Sequence, residues 1–177
     1  MPDQQPAVLI SEAQIRDKVG ALAAQIDRDY ADVDSVLLVG ILKGSFIFLA
    51  DLSRRITIPH AVDFIAVSSY GNATKSTGEV RLQMDLRSSI NGAHVLLVED
   101  IVDTGYTLDY LLRVLSARKP ATLKTCALVR KPARKKVDVK LDYVGFEIPD
   151  KWVVGYGLDW AERFRTLPYI GWVEPPE

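Results

Sequence analysis

Apolar and polar positions along this chain follow two rhythms that exchange at regular intervals. After a polar, Pro-containing opening (residues 1–6), Ser11 and Gln14 stand at the spacing of a capping box, in which each side chain satisfies the other residue's backbone N–H. Ile15, Val19, Leu22, Ala23 and Ile26 then recur at helical spacing, which predicts a helix from residue 11 to about residue 30. SVLLVG (35–40) is a short unbroken apolar run closed by Gly, the pattern of a strand covered on both faces. SFIFLADLSRRI (45–56) reads as a helix and AVDFIAVSSY (61–70) as a strand. HVLLVED (94–100) is another buried strand, ending in two carboxylates, and TLDYLLRVLSARK (107–119) is a helix stopped by Pro120. ATLKTCALV (121–129) is a further strand, followed by a basic loop over 130–136, and LDYVGFEI and KWVVGYGLDW read as two short strands.

Strands and helices joined by short links predict an α/β fold with a parallel sheet flanked by helices. Residues 71–80, GNATKSTGEV, are small, polar and rich in turn formers, which predicts a mobile excursion. Beyond about Val137 the alternation fails, so this last segment is expected to form a small lobe over the sheet. There is no internal repeat, low-complexity tract or linker, and 177 residues suit a single domain.

Composition narrows the chemistry. A 48% hydrophobic content supplies enough apolar surface to offset the entropy of ordering, which excludes a largely disordered chain. One Cys excludes a disulfide scaffold, and one Cys with two His disfavours zinc, so a metal would be a hard ion held by carboxylates, pointing to Mg²⁺. With 22 basic against 23 acidic residues, the net charge of −1 argues against a long nucleic-acid partner. No run approaches the length of a membrane span, and MPDQQPAVLISEAQ lacks the basic-then-apolar order of a signal peptide. These features lead to the expectation of a cytoplasmic protein with no membrane partner.

Ligands of open parallel sheets bind beyond the C-terminal ends of the strands. The richest strand end here is VLLVEDIVDTGYTL (95–108), where an apolar run meets Glu99 and Asp100, then Asp103, then Thr104, Gly105, Tyr106 and Thr107 opening a helix. Backbone N–H groups of that turn, the helix dipole and two hydroxyls form a site for a phosphate monoester. Three neighbouring carboxylates suit Mg²⁺, ribose hydroxyls or a developing cation, and one of them can act as a base. A strand-end Asp before Thr-Gly is often only a capped turn, and a receiver-type acidic pocket is the other explanation. Two acids closing an apolar strand repel each other unless a cation or hydroxyls accompany them, which favours a functional reading of the whole run.

This run resembles the phosphoribosyl-pyrophosphate motif of type I phosphoribosyltransferases. Leu42-Lys43-Gly44-Ser45 resembles the pyrophosphate loop of the hypoxanthine-guanine branch, Ser69-Tyr70-Gly71 opens a stretch similar to its flexible catalytic loop (about 69–81), and DYVGFEIPDKWVVGYGLDWAERFRTLPYIG (142–171) is similar to its purine-binding hood and tail. The resemblance implies the type I fold, with a core over about 7–136 and a hood over about 137–177 joined by the N-terminal segment. It implies Mg²⁺-dependent transfer of 5-phosphoribose from phosphoribosyl pyrophosphate to N9 of hypoxanthine or guanine, giving IMP or GMP and pyrophosphate. It implies that Glu99 and Asp100 hold ribose hydroxyls directly or through Mg²⁺, that Asp103 is the proton acceptor facing N7, and that residues 104–107 cradle the 5′-phosphate. Lys43, Gly44 and Arg165 would contact pyrophosphate. Lys131 would donate to the purine O6, Trp152 would stack on the base, Val153 would offer backbone hydrogen bonds, and Asp159 would reach a second Mg²⁺ and the base-side network. The remaining basic residues, Arg130, Arg134, Lys135 and Lys136, read as a solvated loop. The Leu42–Lys43 peptide is expected to be cis, and the assembly a homodimer or homotetramer. A different class, an RNA-binding regulator on the same fold, draws only on the basic loop.

Overall fold

The computed structural model describes residues 5–69 and 80–174, and within them nine strands and three α-helices. Strands β2 (Val36–Leu42), β3 (His60–Ser69), β4 (Val80–Met84), β5 (His94–Val102), β6 (Thr122–Arg130) and β7 (Tyr143–Glu147) form one sheet in the order β4-β3-β2-β5-β6-β7. All neighbours in it are parallel except the edge strand β4, which runs antiparallel to β3. A second sheet, β1-β9-β8, joins β1 (Ala7–Ile10), β9 (Ile170–Val173) and β8 (Trp152–Val154) in antiparallel pairs.

The period-2 alternation of the buried strands assigns the helices to faces. Leu38, Leu96, Val98 and Leu128 point to the side covered by α1 (Glu12–Asp29) and α2 (Phe46–Ser53), where they meet Ile15, Val19, Phe48 and Leu52. Val39, Val95, Leu97 and Ala127 point the other way, to Leu108, Leu111 and Leu115 of α3 (Tyr106–Ser116). The first apolar layer continues into the small sheet through Val153, Tyr156 and Ile170, so the two sheets share a core. The helix α1 opens with the expected capping box, Gln14 N–H donating to Ser11 Oγ at 3.3 Å and Ser11 N–H to Gln14 Oε1 at 2.9 Å.

Two features differ from the sequence reading. The sequence places LDYVGFEI in the lobe beyond about Val137, yet β7 pairs with β6 in the large sheet. The link from β6 to β7 is a short 3-10 turn (Pro132–Arg134) and irregular chain rather than a helix, which removes the helical signal of an α/β unit. The strand HVLLVED does not end at its acids either: β5 runs on to Val102, with Ile101 and Val102 paired to Val129 and Arg130. Glu99 and Asp100 are therefore inside a strand, with relative exposures of 8% and 7%.

Chain order and sheet order part company between β2 and β5. The unit β2-α2-β3 builds outward in one direction and β5-α3-β6 in the other, with the helices on opposite faces. This reversal opens a crevice at the C-terminal ends of β2 and β5, the position at which such sheets bind ligands.

Candidate active site

Lys43 and Gly44 follow β2, and Asp103, Thr104 and Gly105 follow β5, so both strand ends facing the crevice carry residues singled out from the sequence. The peptide between Leu42 and Lys43 is cis. Gly44 lies so close to β5 that a Cβ there would come within 1.8 Å of Asp100 Oδ2. On its other side, a Cβ at Gly157, itself at φ +103°, would come within 2.0 Å of the Gly44 carbonyl oxygen. Gly157, Gly44 and Asp100 therefore form a stack in which three layers touch with no room for a methyl group.

A cleft of about 250 Å³ is lined by Gly44, Glu99, Asp100, Asp103, Thr104, Gly105 and Thr107. At its floor, burial pushes the Glu99 carboxyl well above the usual carboxylate range, with the negative charge of Asp100 adding to the effect. Burial raises Asp100 as well, opposed by its hydrogen bonds with Glu99 and the Ile101 N–H and by the charge of Arg165. At its rim, α3 begins with Gly105 as N-cap at φ +92°. The first helical N–H groups, on Tyr106, Thr107 and Leu108, have no partner within the helix, the arrangement by which helix N-termini bind anions. Tyr106 is not among the residues that line this cleft. A side chain at Gly105 would meet the Val137 carbonyl at 2.8 Å. The need for Gly here thus includes packing against the 136–137 segment, whose Lys136 and Val137 N–H groups both donate to Thr104 O at 3.0 Å.

A wider cleft of about 670 Å³ shares Gly44, Asp100 and Asp103 with the first and extends under the small sheet to Lys43, Lys131, Trp152, Val153, Asp159 and Arg165. Lys131 is buried at the end of β6, its Nζ 3.8 Å from Asp150 Oδ1, and its N–H donates to Val102 O. Trp152 lines this cleft and is 44% exposed, while Val153 beside it is buried. Arg165 stands in a series of turns: Nη1 donates to Gly157 O at 2.6 Å and Nη2 lies 2.7 Å from Asp159 Oδ1. Asp159 Oδ2 accepts from the Glu162 N–H at 2.8 Å. Ser69 ends β3; its side chain, Tyr70 and the loop up to Glu79 lie outside the described residues, and so does most of the expected catalytic loop.

One contact was missed from the sequence. Arg134, read as part of a solvated loop, donates from Nε to Asp103 Oδ1 at 3.0 Å, and its Nη1 lies 3.7 Å from Asp150 Oδ2. Asp150 thereby links Arg134 to Lys131. Within the basic run, Arg130 pairs with Glu147 and Lys135 with Asp138. No signal in the local pattern distinguishes Arg134 from its basic neighbours; only the fold of the Pro132–Arg134 turn aims it at Asp103.

The phosphoribosyl transferase domain matches residues 11–160 of this chain. The hypoxanthine-guanine phosphoribosyltransferase of Bacillus subtilis is 49% identical over 95% of this chain and 93% of its own length. This chain belongs to the hypoxanthine-guanine phosphoribosyltransferase family. The hypoxanthine phosphoribosyltransferase of Haemophilus influenzae is 48% identical over 93% of both chains. A Bacillus anthracis hypoxanthine-guanine phosphoribosyltransferase, solved with a HEPES molecule in the active site, superposes with a TM-score of 0.91 at 47% identity, covering 97% of this chain and 100% of that one. The phosphoribosyltransferase fold is the α/β arrangement described above, and the relatives lend no support to the RNA-binding alternative. No helix among the described residues is long and apolar enough to cross a membrane.

Proposed function

We propose that this chain is a purine salvage transferase that moves 5-phosphoribose from phosphoribosyl pyrophosphate to N9 of hypoxanthine or guanine, releasing IMP or GMP and pyrophosphate. The observation that carries this reading is the crevice between β2 and β5. One side holds a buried acid pair beside a helix N-terminus, and the other holds Lys43 and Arg165 beneath an exposed Trp. A sugar phosphate, a leaving diphosphate and a flat base each find a matching wall.

The 5′-phosphate is bound by the backbone N–H groups and hydroxyls of residues 104–107, as a helix N-terminus binds anions. Glu99 and Asp100 take the ribose hydroxyls. Breaking the C1–O bond leaves positive charge on the ribose, which fixed carboxylates stabilise most strongly where water is excluded. The pair also fits Mg²⁺: two buried carboxyls whose ionised forms lack compensation suit a hard cation that takes its other ligands from substrate oxygens and water. When bound, Mg²⁺ supplies charge neutralisation for the departing pyrophosphate. Among the described residues no three His, Cys, Asp or Glu converge on one metal position. Both oxygens of Asp159 are engaged, by Arg165 and the Glu162 N–H, so its role in this arrangement is to hold Arg165.

Asp103 accepts the proton that the purine gives up as N9 bonds to the ribose. Arg134 occupies Oδ1 and leaves Oδ2 for this task. Lys131 donates to O6, which hypoxanthine and guanine share and adenine replaces with an amino group, so adenine would set a donor against a donor. Trp152 stacks on the base, Val153 offers its backbone, and Lys43, the Gly44 N–H and Arg165 hold pyrophosphate. Assembly as a homodimer or homotetramer and a cytoplasmic location complete the proposal; light scattering after size exclusion tests the first. Protein mixed with Mg²⁺, phosphoribosyl pyrophosphate and hypoxanthine should give the absorbance change of IMP formation, and its absence with both hypoxanthine and guanine refutes the reading.

A further inference from the structure

Glu162 has no part in the mechanism above, yet its carboxylate spans the two cations assigned to pyrophosphate. Oε1 accepts from Lys43 Nζ at 3.0 Å and Oε2 from Arg165 Nη2 at 3.2 Å. A scaffold that places these cations and a rival that occupies them would both produce these contacts, and three observations separate the two. Arg165 is only 16% exposed and is fixed independently of Glu162, by Gly157 O and by Asp159. Lys43, by contrast, has Glu162 as its ion-pair partner among the described residues, and both side chains are about two-thirds exposed, at 68% and 66%. A pair that open to water is weak, and a multiply charged anion displaces it readily. Finally, the backbone delivers Glu162 to the mouth of the cleft. Ala161 and Glu162 take φ of 51° and 62°, Trp160 and Arg163 close the turn with reciprocal N–H···O bonds of 3.1 and 3.0 Å, and Asp159 accepts the Glu162 N–H. Consecutive left-handed residues other than Gly are uncommon and persist where surrounding contacts hold them.

We infer that Glu162 is an internal counter-anion, which occupies Lys43 and Arg165 in the empty site and competes with the diphosphate for them. Phosphoribosyl pyrophosphate must displace it on entry, and its return after transfer assists the departure of pyrophosphate. The inference rests on the proposed assignment of Lys43 and Arg165 to pyrophosphate.

Titration calorimetry with magnesium pyrophosphate, on wild type, Glu162→Gln, Lys43→Ala and the double variant, tests it. Because Glu162 is exposed, its substitution leaves the core intact, and Glu162→Ala serves as a second variant expected to act in the same direction. Glu162→Gln should bind pyrophosphate roughly two- to fivefold more tightly, the scale of one exposed ion pair. Product inhibition by pyrophosphate should strengthen in parallel, and the gain should shrink in the Lys43→Ala background. Unchanged or weaker binding by both Glu162 variants, with Lys43→Ala still weakening binding, overturns the counter-anion and makes Glu162 a scaffold. If Lys43→Ala leaves pyrophosphate binding unchanged, the Lys43 assignment fails and takes this inference with it, an outcome distinct from the first.

Discussion

The two walls of the crevice are built in different ways. The β5–α3 wall consists of backbone N–H groups, a left-handed Gly and two carboxyls sunk within a strand. The opposite wall, beneath the small sheet, consists of long side chains in ion pairs: Lys43 with Glu162, Arg165 with Asp159, Lys131 and Arg134 with Asp150. The first is fixed by the fold, since moving it means moving the sheet. The second is adjustable, since its charges exchange partners without backbone movement. Asp103 sits where they meet, attached to β5 and held by Arg134 from the other side.

Substitution at that junction should have the largest effect. Asp103→Asn keeps shape and hydrogen bonding but removes the base, so kcat should fall by about 10²- to 10⁴-fold while phosphoribosyl pyrophosphate still binds. Steady-state kinetics with hypoxanthine, alongside calorimetry with phosphoribosyl pyrophosphate, reads both quantities; near-normal turnover would remove Asp103 from the chemistry. On the adjustable wall, Lys131→Ala deletes a charged hydrogen bond and should cost about ten- to a hundredfold in kcat/KM for the purine. The KM for phosphoribosyl pyrophosphate should change little; if that KM alone rises, Lys131 belongs to the phosphate side.

Where the walls touch through the glycine stack, Gly157→Ala should destabilise the protein by about 1–3 kcal/mol through overpacking, read as a shift of the urea midpoint. An unchanged midpoint would mean that the small sheet moves away from the loop at no cost. The smallest effect concerns the fixed wall. Glu99 titrates higher in the folded protein than in the unfolded chain, so between those two values the folded state binds more protons, and stability falls as pH rises. Glu99→Gln removes that loss and should melt about 2–4 °C higher than the unliganded wild type at neutral pH, although its activity is impaired. Scanning calorimetry between pH 5 and 8 tests this; a variant that melts lower at neutral pH would show that the buried acid is already compensated.

The fixed wall was also the legible one. The apolar run 95–98, the acids after it and the Thr-Gly turn before a helical pattern are contiguous, so local periodicity places strand, site and helix together. The other wall is assembled from contacts distant in sequence, such as Arg134 with Asp103 and Lys43 with Glu162, and no local pattern encodes these. The four-residue strands β1 and β9 are too short for alternation to reveal. Strand β7 is visible as a strand, but its place beside β6 rather than in the lobe is not, because a turn replaces the helix that normally marks a parallel crossover.

The pairing of β1 with β9 has a consequence for the order in which the molecule forms. The βαβ units of the large sheet close short loops and can fold as they leave the ribosome, whereas the small sheet joins the first strand to the last and must wait for almost all the chain between them. A nascent chain thus forms the β5–α3 side of the crevice before the wall beneath the small sheet.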